Sequence, residues 1–161
     1  LLRAHPSGKR HQFDVQLLPA DLTIRMNGTD LIQVLLNLVT NAFQASAQPL
    51  QVEVFGEYHD DAVAPAALAD SPRSVFVNRD SFVNEPPLVA LRVSDTGPGI
   101  PESVLPKIFE SYFTTKSPGE GTGLGLAIVR RLVSEAKGGI QVQTEPHRGT
   151  TFTVFLPVEV G

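Results

Sequence analysis

The run Gly119-Glu120-Gly121-Thr122-Gly123-Leu124-Gly125-Leu126 is the most informative stretch of the sequence. Its glycines alternate with other residues, and an apolar helical pattern follows directly, at 127–133. Glycine lets the backbone approach a ligand closely, and a helix N-terminus offers unpaired N–H groups and the positive end of its dipole. A glycine-rich loop that leads into a helix therefore predicts an anion site, most often for phosphate.

The spacing of these glycines excludes two common nucleotide-binding motifs. The chain contains no G-x-x-x-x-G-K-[ST] string, so the run is not a P-loop. Its core, G-T-G-L-G-L, also does not match the dinucleotide-binding pattern G-x-G-x-x-G. Glycines alone are equally typical of a flexible loop, so residues elsewhere in the chain have to identify the ligand.

Composition and charge are those of an ordinary globular chain. The 161 residues suffice for about one domain with a sizeable core, and the net charge is −4. This acidic balance provides no basic surface for nucleic acid, and no apolar run approaches the roughly 18 residues of a membrane span. We therefore expect no nucleic-acid partner and no membrane contact by this domain. The absence of cysteine fits a cytoplasmic location, which leaves open a membrane anchor elsewhere in the parent protein.

Apolar periodicity predicts interleaved strands and helices. Strands are expected at 11–17, 22–26, 50–55, 88–94, 140–144 and 150–158, and helices at about 30–47, 102–110 and 124–136, the first capped by Thr29 or Asp30. The hairpin formed by the last two strands argues against a purely parallel sheet. We interpret residues 56–87, rich in alanine, proline and acidic residues, as an insertion that contains a strand at Ser74–Val77. We favour decoration over partner docking as its role, because surface loops tolerate added length at little cost.

Two asparagines on the first long helix form the next candidate site. Asn37 and Asn41 share one face of an otherwise apolar helix, because residues at i and i+4 are neighbours. An unpaired buried amide costs about 1–3 kcal/mol, so both side chains need partners. They are either amides that pack between helices or oxygen ligands for Mg²⁺, which prefers hard oxygens and bridges to phosphates.

Asp95 ends a strongly apolar strand and is followed by Gly97 and Gly99. Aspartate and glycine are ordinary turn residues, so the motif is either a simple turn or the mouth of a pocket. In a pocket, the glycines would let a flat ligand lie against the backbone. Because a carboxylate only accepts hydrogen bonds, it would select a donor such as the exocyclic amine of adenine.

Three further residues precede the glycine run. Phe109 and Phe113 are spaced i, i+4, a pattern more typical of the core than of a ligand contact. Lys116 either is a solvated surface residue or reaches a phosphate as a point charge.

The order and spacing of these motifs resemble one known family. N-L-V-T-N-A at 37–42, D-T-G-P-G-I at 95–100, I-F-E-S-Y-F-T-T-K at 108–116, G-T-G-L-G-L at 121–126 and R-G-T-T-F at 148–152 follow one another. This set is similar to the catalytic ATP-binding domain of two-component sensor histidine kinases, whose superfamily also contains DNA gyrase, heat-shock chaperones and MutL. The resemblance implies the Bergerat-type ATP-binding fold, a two-layer α/β sandwich in which a mixed sheet of about five strands carries three helices on one face.

The resemblance also implies a nucleotide site with ATP and Mg²⁺ as cofactors. Asn41 would coordinate Mg²⁺, Asn37 would lie near the phosphates, and Asp95 would bind the adenine amine. The other residues expected at the nucleotide are Gly97, Gly99, Ile100, Phe109, Phe113, Lys116, Gly121, Thr122, Gly123, Leu124, Gly125, Leu126 and Thr151, with Thr150 as the alternative to Thr151. Asn37, Asn41 and Lys116 are the catalytic candidates, and residues 100–125 would form a lid. Gln44 stands where many members carry a basic residue, so no phosphate contact is expected there.

Phosphoryl transfer, rather than hydrolysis, is the expected reaction. Members of the superfamily that hydrolyse ATP use a glutamate to activate water, and Asn37 at that position cannot act as a general base. The expected acceptor is a histidine on a separate dimerisation and phosphoacceptor helical domain, in cis or in trans, with a response regulator receiver domain as the next partner. None of the four histidines present stands in an acceptor pattern, so we expect that helical domain upstream of residue 1. An anti-sigma-type serine kinase and a non-catalytic nucleotide-binding module are the alternatives.

Overall fold

One mixed sheet organises the computed structural model, which describes residues 12–16, 23–46, 48–110 and 125–159. Within these ranges the strands are β1 (Gln12–Gln16), β2 (Gln51–His59), β3 (Ser74–Val77), β4 (Leu88–Asp95), β5 (Gly139–Glu145) and β6 (Gly149–Pro157). The helices are α1 (Gly28–Phe43), the short α2 (Pro65–Leu68) and α3 (Gly125–Glu135), with a 3₁₀ turn at Leu105–Lys107.

The six strands have the order β1-β2-β4-β6-β5-β3. Strand β1 runs parallel to β2, and all other neighbours are antiparallel. Helix α1 lies between β1 and β2 in the sequence, as a crossover between parallel neighbours requires. The predicted mixed sheet and two-layer α/β architecture are confirmed. The sheet has one strand more than the five that the family resemblance implies, and β3 lies where the sequence predicts a strand.

The main core lies between the sheet and helices α1 and α3. Its members are apolar residues at helical spacing and alternate residues of the strands. They include Val34, Leu38, Val39, Val52, Val54, Leu91, Val93, Val129, Val133, Ile140, Val142, Phe152 and Val154. This apolar layer holds α1 beside α3, with α1 packed on β2 and β4 and α3 packed on β5.

Helix α1 begins earlier and ends earlier than its sequence pattern predicts. Its N-cap is Asn27, whose side chain accepts a hydrogen bond from the backbone N–H of Asp30 at 2.8 Å, so Thr29 and Asp30 are already inside the first turn. Asparagine is among the strongest N-cap residues, because its side chain satisfies an otherwise unpaired donor. The helix ends at Phe43, about four residues before the predicted end at 47.

Two predicted elements are reduced in the structure. The expected strand at 22–26 is represented, among the residues described, by a single bridge from Ile24 to Val158. The expected helix at 102–110 is only the 3₁₀ turn at Leu105–Lys107, which contains Pro106. Proline has no N–H to donate and obstructs a longer helix, so this third helical element stays short while Leu105 still enters the core.

Residues 56–87 include the end of β2 and the whole of β3. Strand β2 continues to His59, and the rest of the predicted insertion, residues 60–87, is called the inserted segment below. Strand β3 lies in it at the predicted position and pairs with β5. A second cluster of Phe76, Ala90 and Phe155 packs with residues of the inserted segment on the sheet face opposite the helices. In the part of the chain that the structure describes, no helix is long and apolar enough to cross a membrane.

Candidate functional site

Asp95 is a buried carboxylate at the carboxyl end of β4. Its exposed fraction is 9 %, and strand alternation places its side chain on the helix-facing side with Leu91 and Val93. The backbone N–H of Gly97 donates to Oδ1 at 2.9 Å. Burial raises the pKa of the Asp95 carboxyl above its ordinary value of 3.8, and the backbone N–H groups of Gly97 and Thr150, which donate to the carboxylate, offset part of this rise. A buried carboxylate of this kind favours a ligand that brings its own hydrogen-bond donor.

Two glycines form the walls beside this carboxylate. A Cβ at position 97 would lie 2.9 Å from Oδ1 of Asp95. A Cβ at Gly149, whose φ is 123°, would collide with the backbone carbonyl oxygen of Asp95. The close approach of these two backbones places the turn between β5 and β6 directly against the end of β4.

Thr144 connects the loop after β4 to this turn, a role that the sequence analysis missed. Its Oγ1, on a residue only 6 % exposed, accepts a hydrogen bond from the N–H of Ile100 at 2.7 Å. The same hydroxyl lies 3.0 Å from Oγ1 of Thr150 and 3.3 Å from the carbonyl oxygen of Gly149. The sequence signal that could have revealed it is a polar residue at a core-facing position of β5, because Thr144 alternates in register with the buried Ile140.

The two adjacent threonines lie on opposite faces of the sheet. Thr150 is 5 % exposed and pairs with Asp95 in the β4–β6 register. Thr151 lies on the other face of the sheet, where its Oγ1 is 2.9 Å from Oγ of Ser94. Successive strand residues point to opposite faces, so Thr150, and not Thr151, belongs to the Asp95 side.

A cleft of about 490 Å³ opens at this end of the sheet. Its lining includes Asp95, Thr144, Thr150 and Thr151, together with two arginines, Arg73 and Arg148. Both arginines face acidic residues at 3.6–3.8 Å and are largely exposed. No residue of α1 or α3 lines this cleft, so it covers the Asp95 end of the predicted site and not the predicted phosphate end.

Asn37 brings α1 to the first residue of α3. It is half-buried, and its Nδ2 donates to the carbonyl oxygen of Gly125 at 3.3 Å. Because the amide nitrogen makes this bond, the amide oxygen is the atom that can face a cation or a water. Asn41 is half-buried one turn further along the same helix face. The sequence-predicted asparagine pair therefore lies beside the helix start at which phosphate was predicted.

The donor set suits a cation that also binds a phosphorylated ligand. Among the residues described, no group of three or more His, Cys, Asp or Glu side chains could hold a metal ion. Amide oxygens from Asn37 and Asn41 are hard ligands, but they are too few for a protein-only site. Mg²⁺ usually keeps several waters and takes oxygens from substrate phosphates, so this donor set fits magnesium brought by a nucleotide.

The start of the predicted lid is fixed to the core. Phe109 is 6 % exposed and packs edge-on against Phe152, with ring centroids 6.2 Å apart. Ile100 and Leu126 are half-buried against the main core. The remaining predicted contacts, Phe113, Lys116, Gly121, Thr122, Gly123 and Leu124, lie outside the described residues and stay predictions.

The raised pKa of Asp95 predicts a pH-dependent difference between the wild type and Asp95→Asn. Because the folded pKa lies above the unfolded one, protonation favours the folded state, and this contribution is complete below the unfolded pKa and lost as pH rises through the folded pKa. We expect the melting temperature of Asp95→Asn, relative to wild type, to be higher at about pH 7.5 than at about pH 4.5. A difference that is constant across this range, measured by thermal unfolding, would contradict the burial argument.

Loss of the Thr144 hydroxyl is expected to destabilise the fold. Thr144→Val removes the acceptor of the Ile100 N–H and should lower the free energy of unfolding by about 1–3 kcal/mol. Thr144→Ser retains the hydroxyl and serves as the matched control. Urea denaturation measures both, and equal stabilities of the two variants would show that the hydroxyl does not carry the contact.

Comparison with known proteins gives a consistent set of similarities. The family model for histidine kinase-, DNA gyrase B-, and HSP90-like ATPases matches residues 26–160. The sensor histidine kinase ZraS of Escherichia coli (strain K12) is 38 % identical over 130 residues, which cover 81 % of this chain and 22 % of ZraS. The sensory histidine kinase/phosphatase NtrB of Azospirillum brasilense is 33 % identical over 132 residues, or 82 % of this chain and 30 % of NtrB. The chain thus spans less than a third of the length of either relative.

A solved structure shows the same architecture. The nucleotide-free catalytic domain of histidine kinase ThkA superposes with a TM-score of 0.63 and 28 % sequence identity. The match covers 92 % of this chain and 79 % of that domain.

Proposed function

Since the chain belongs to the family of histidine kinase-, DNA gyrase B- and HSP90-like ATPases, we propose that it is the catalytic ATP-binding domain of a sensor histidine kinase. In this role it binds Mg-ATP and passes the γ-phosphate to a histidine on a dimerisation and phosphoacceptor helical domain. The observation that carries the proposal is the buried carboxylate of Asp95, enclosed by the backbones of Gly97 and Gly149.

Asp95 supplies the base recognition in this proposal. Its carboxylate accepts a hydrogen bond from the exocyclic amine of adenine, and burial strengthens that bond because no water competes for it. Thr150 lies on the same face, where its hydroxyl can bond the adjacent ring nitrogen directly or through a water. Gly97 keeps the floor of the pocket free of a side chain.

The asparagine pair and the start of α3 form the phosphate end. The first N–H groups of α3, which follow Gly125, lack helical partners and favour negative charge. Asn41 would hold Mg²⁺, and Asn37 would orient the phosphates through its amide oxygen. Magnesium, when bound with ATP, neutralises charge that develops on the transferred group.

The chemistry at Asn37 favours transfer over hydrolysis. Its amide cannot remove a proton from water, and its nitrogen is already bonded to the Gly125 carbonyl oxygen. An incoming neutral imidazole nitrogen attacks the γ-phosphorus while the bond to the bridging oxygen breaks and ADP leaves. The phosphohistidine so formed is the donor for a response regulator receiver domain.

A transfer assay tests this proposal. The chain is incubated with γ-labelled ATP, Mg²⁺ and the parent kinase's phosphoacceptor domain, and the expected product is an acid-labile, base-stable phosphoprotein. The acceptor domain with its histidine replaced by alanine is the control and should remain unlabelled. An acid-stable product would support the serine-kinase alternative, and ATP binding without any transfer would support a non-catalytic module.

A further inference from the structure

The inserted segment contacts helix α3 at two points, in its middle and near its carboxyl end, and the residues just after the helix at a third. Nδ2 of Asn78 donates to the carbonyl oxygen of Arg130 at 3.0 Å. The hydroxyls of Ser81 and Ser134 are 3.3 Å apart. The N–H of Val83 donates to the carbonyl oxygen of Lys137, two residues after the end of α3, at 3.0 Å. The contacts follow the helix for about one turn and continue onto the residues that connect it to β5.

The inserted segment is itself fixed to the sheet. Strand β3 pairs with β5, and the ring of Phe76 lies 5.5 Å from that of Phe82 and 6.1 Å from that of Phe155. Asn84 closes the segment on itself, accepting from the N–H of Val63 at 2.8 Å and donating to its carbonyl oxygen at 2.9 Å. Asn78, Ser81 and Val83, which contact α3 and the residues after it, therefore belong to a segment that is itself fixed to the sheet.

The opposite end of α3 is the predicted phosphate end. There Asn37 holds the carbonyl oxygen of Gly125, the first residue of the helix. A helix of this length behaves as a rigid rod, so contacts at one end set the direction of the other. Outside the sheet, two described sets of polar contacts position α3. One is the 3.3 Å hydrogen bond from Asn37 to its first residue, and the other is the set from the inserted segment.

We propose that the inserted segment is a brace for α3 and that Asn78 is a positioning residue for nucleotide phosphates. This inference rests on the proposed function, because it assigns the inserted segment to the phosphate end of the same site. Asn78 has a φ of 68°, a conformation that asparagine tolerates better than most residues, so its side chain is held at the start of the turn after β3. From there it reaches the middle of α3 and acts on the ligand only through the helix.

The substitution Asn78→Asp tests the brace with little change in shape. It replaces the donating amide with a carboxylate oxygen that faces the Arg130 carbonyl, and aspartate also tolerates a positive φ. We expect the affinity for Mg-ATP to fall about threefold to tenfold, the effect of one lost hydrogen bond, while the affinity for adenosine stays within about twofold. NMR titration measures both ligands, and adenosine, which lacks phosphates, reports only on the Asp95 end.

Asp80→Asn is the control, because Asp80 is an exposed residue of the turn that follows Asn78 and has no hydrogen bond to α3 among the described residues. This variant should bind both ligands as the wild type does. Asn78→Gly removes the same contact without backbone strain and should repeat the result if Asn78→Asp folds poorly. Unchanged ATP affinity in both Asn78 variants, or an equal loss for ATP and adenosine, would overturn the brace. If the wild type itself fails to bind ATP, the proposed function fails with it.

Discussion

Asp95→Asn is expected to weaken Mg-ATP binding by about 100-fold or more while the domain remains folded. Asparagine has one acceptor oxygen where the carboxylate has two, and the backbone N–H groups of Gly97 and Thr150 compete for it. The amide NH₂ then faces the adenine amine, donor against donor, in a site that excludes water. Isothermal titration calorimetry measures the loss directly.

Ser94→Ala is the matched control for this result. Ser94 is the neighbour of Asp95 on β4, but its hydroxyl points to the opposite face, toward Thr151. Its loss should leave ATP affinity unchanged. Comparable ATP affinities of wild type and Asp95→Asn would show that the carboxylate does not recognise the base. An unfolded Asp95→Asn would show that its role is structural.

Gly149→Ala is expected to lower the free energy of unfolding by about 3–5 kcal/mol, one of the largest effects that a single methyl group can have. A φ of 123° is nearly restricted to glycine, and the new Cβ would collide with the carbonyl oxygen of Asp95. Relief requires the turn between β5 and β6 to move away from β4. The melting temperature should fall by roughly 10 °C or more, and nucleotide binding should weaken with it.

Gly28→Ala provides the control for the added methyl group. Gly28 is the first residue of α1, and a Cβ there meets nothing within 4 Å. Alanine favours the helix more than glycine does, so this variant should be as stable as wild type or slightly more stable. A Gly149→Ala protein that melts with the wild type would show that the turn adapts freely and does not fix the Asp95 carbonyl.

Much of the fold was predictable because its elements carry local signals. The apolar face of α1, the buried strand before Asp95 and the strand at Ser74–Val77 all appear in the structure. The family predicted from the ordered motifs is confirmed by the match over residues 26–160. The sequence predicted a site at Asp95 because an ionised group at the end of an apolar strand needs hydrogen-bonding partners.

The sequence left the choice between Thr150 and Thr151 open for a physical reason. Strand β6 is buried on both faces along most of its length, because the helices cover one face and the inserted segment covers part of the other. A strand buried on both sides loses the alternation that would assign each residue to a face. The faces of Thr150 and Thr151 therefore depend on the long-range packing of the inserted segment, which composition alone did not reveal.

Thr144 and Asn78 were missed for a related reason. Their hydrogen bonds join residues 44 and 52 positions apart in the sequence, and both residue types are common in ordinary strands and turns. Only the assembled sheet, in which β3 and β5 become neighbours and the turn after β5 meets the loop after β4, brings these partners together. Local patterns predict elements well, but the polar contacts between distant elements depend on the complete topology.

The central claim is that the Asp95 site selects an adenine nucleotide, and calorimetric titration of the folded chain with Mg-ATP and Mg-ITP tests it most directly. The two nucleotides differ at the position facing Asp95, where ATP offers a donating amine and ITP an accepting oxygen. The account predicts one saturable site for ATP and at least about 30-fold weaker binding of ITP. No saturable ATP binding, or equal affinity for the two nucleotides, would contradict it.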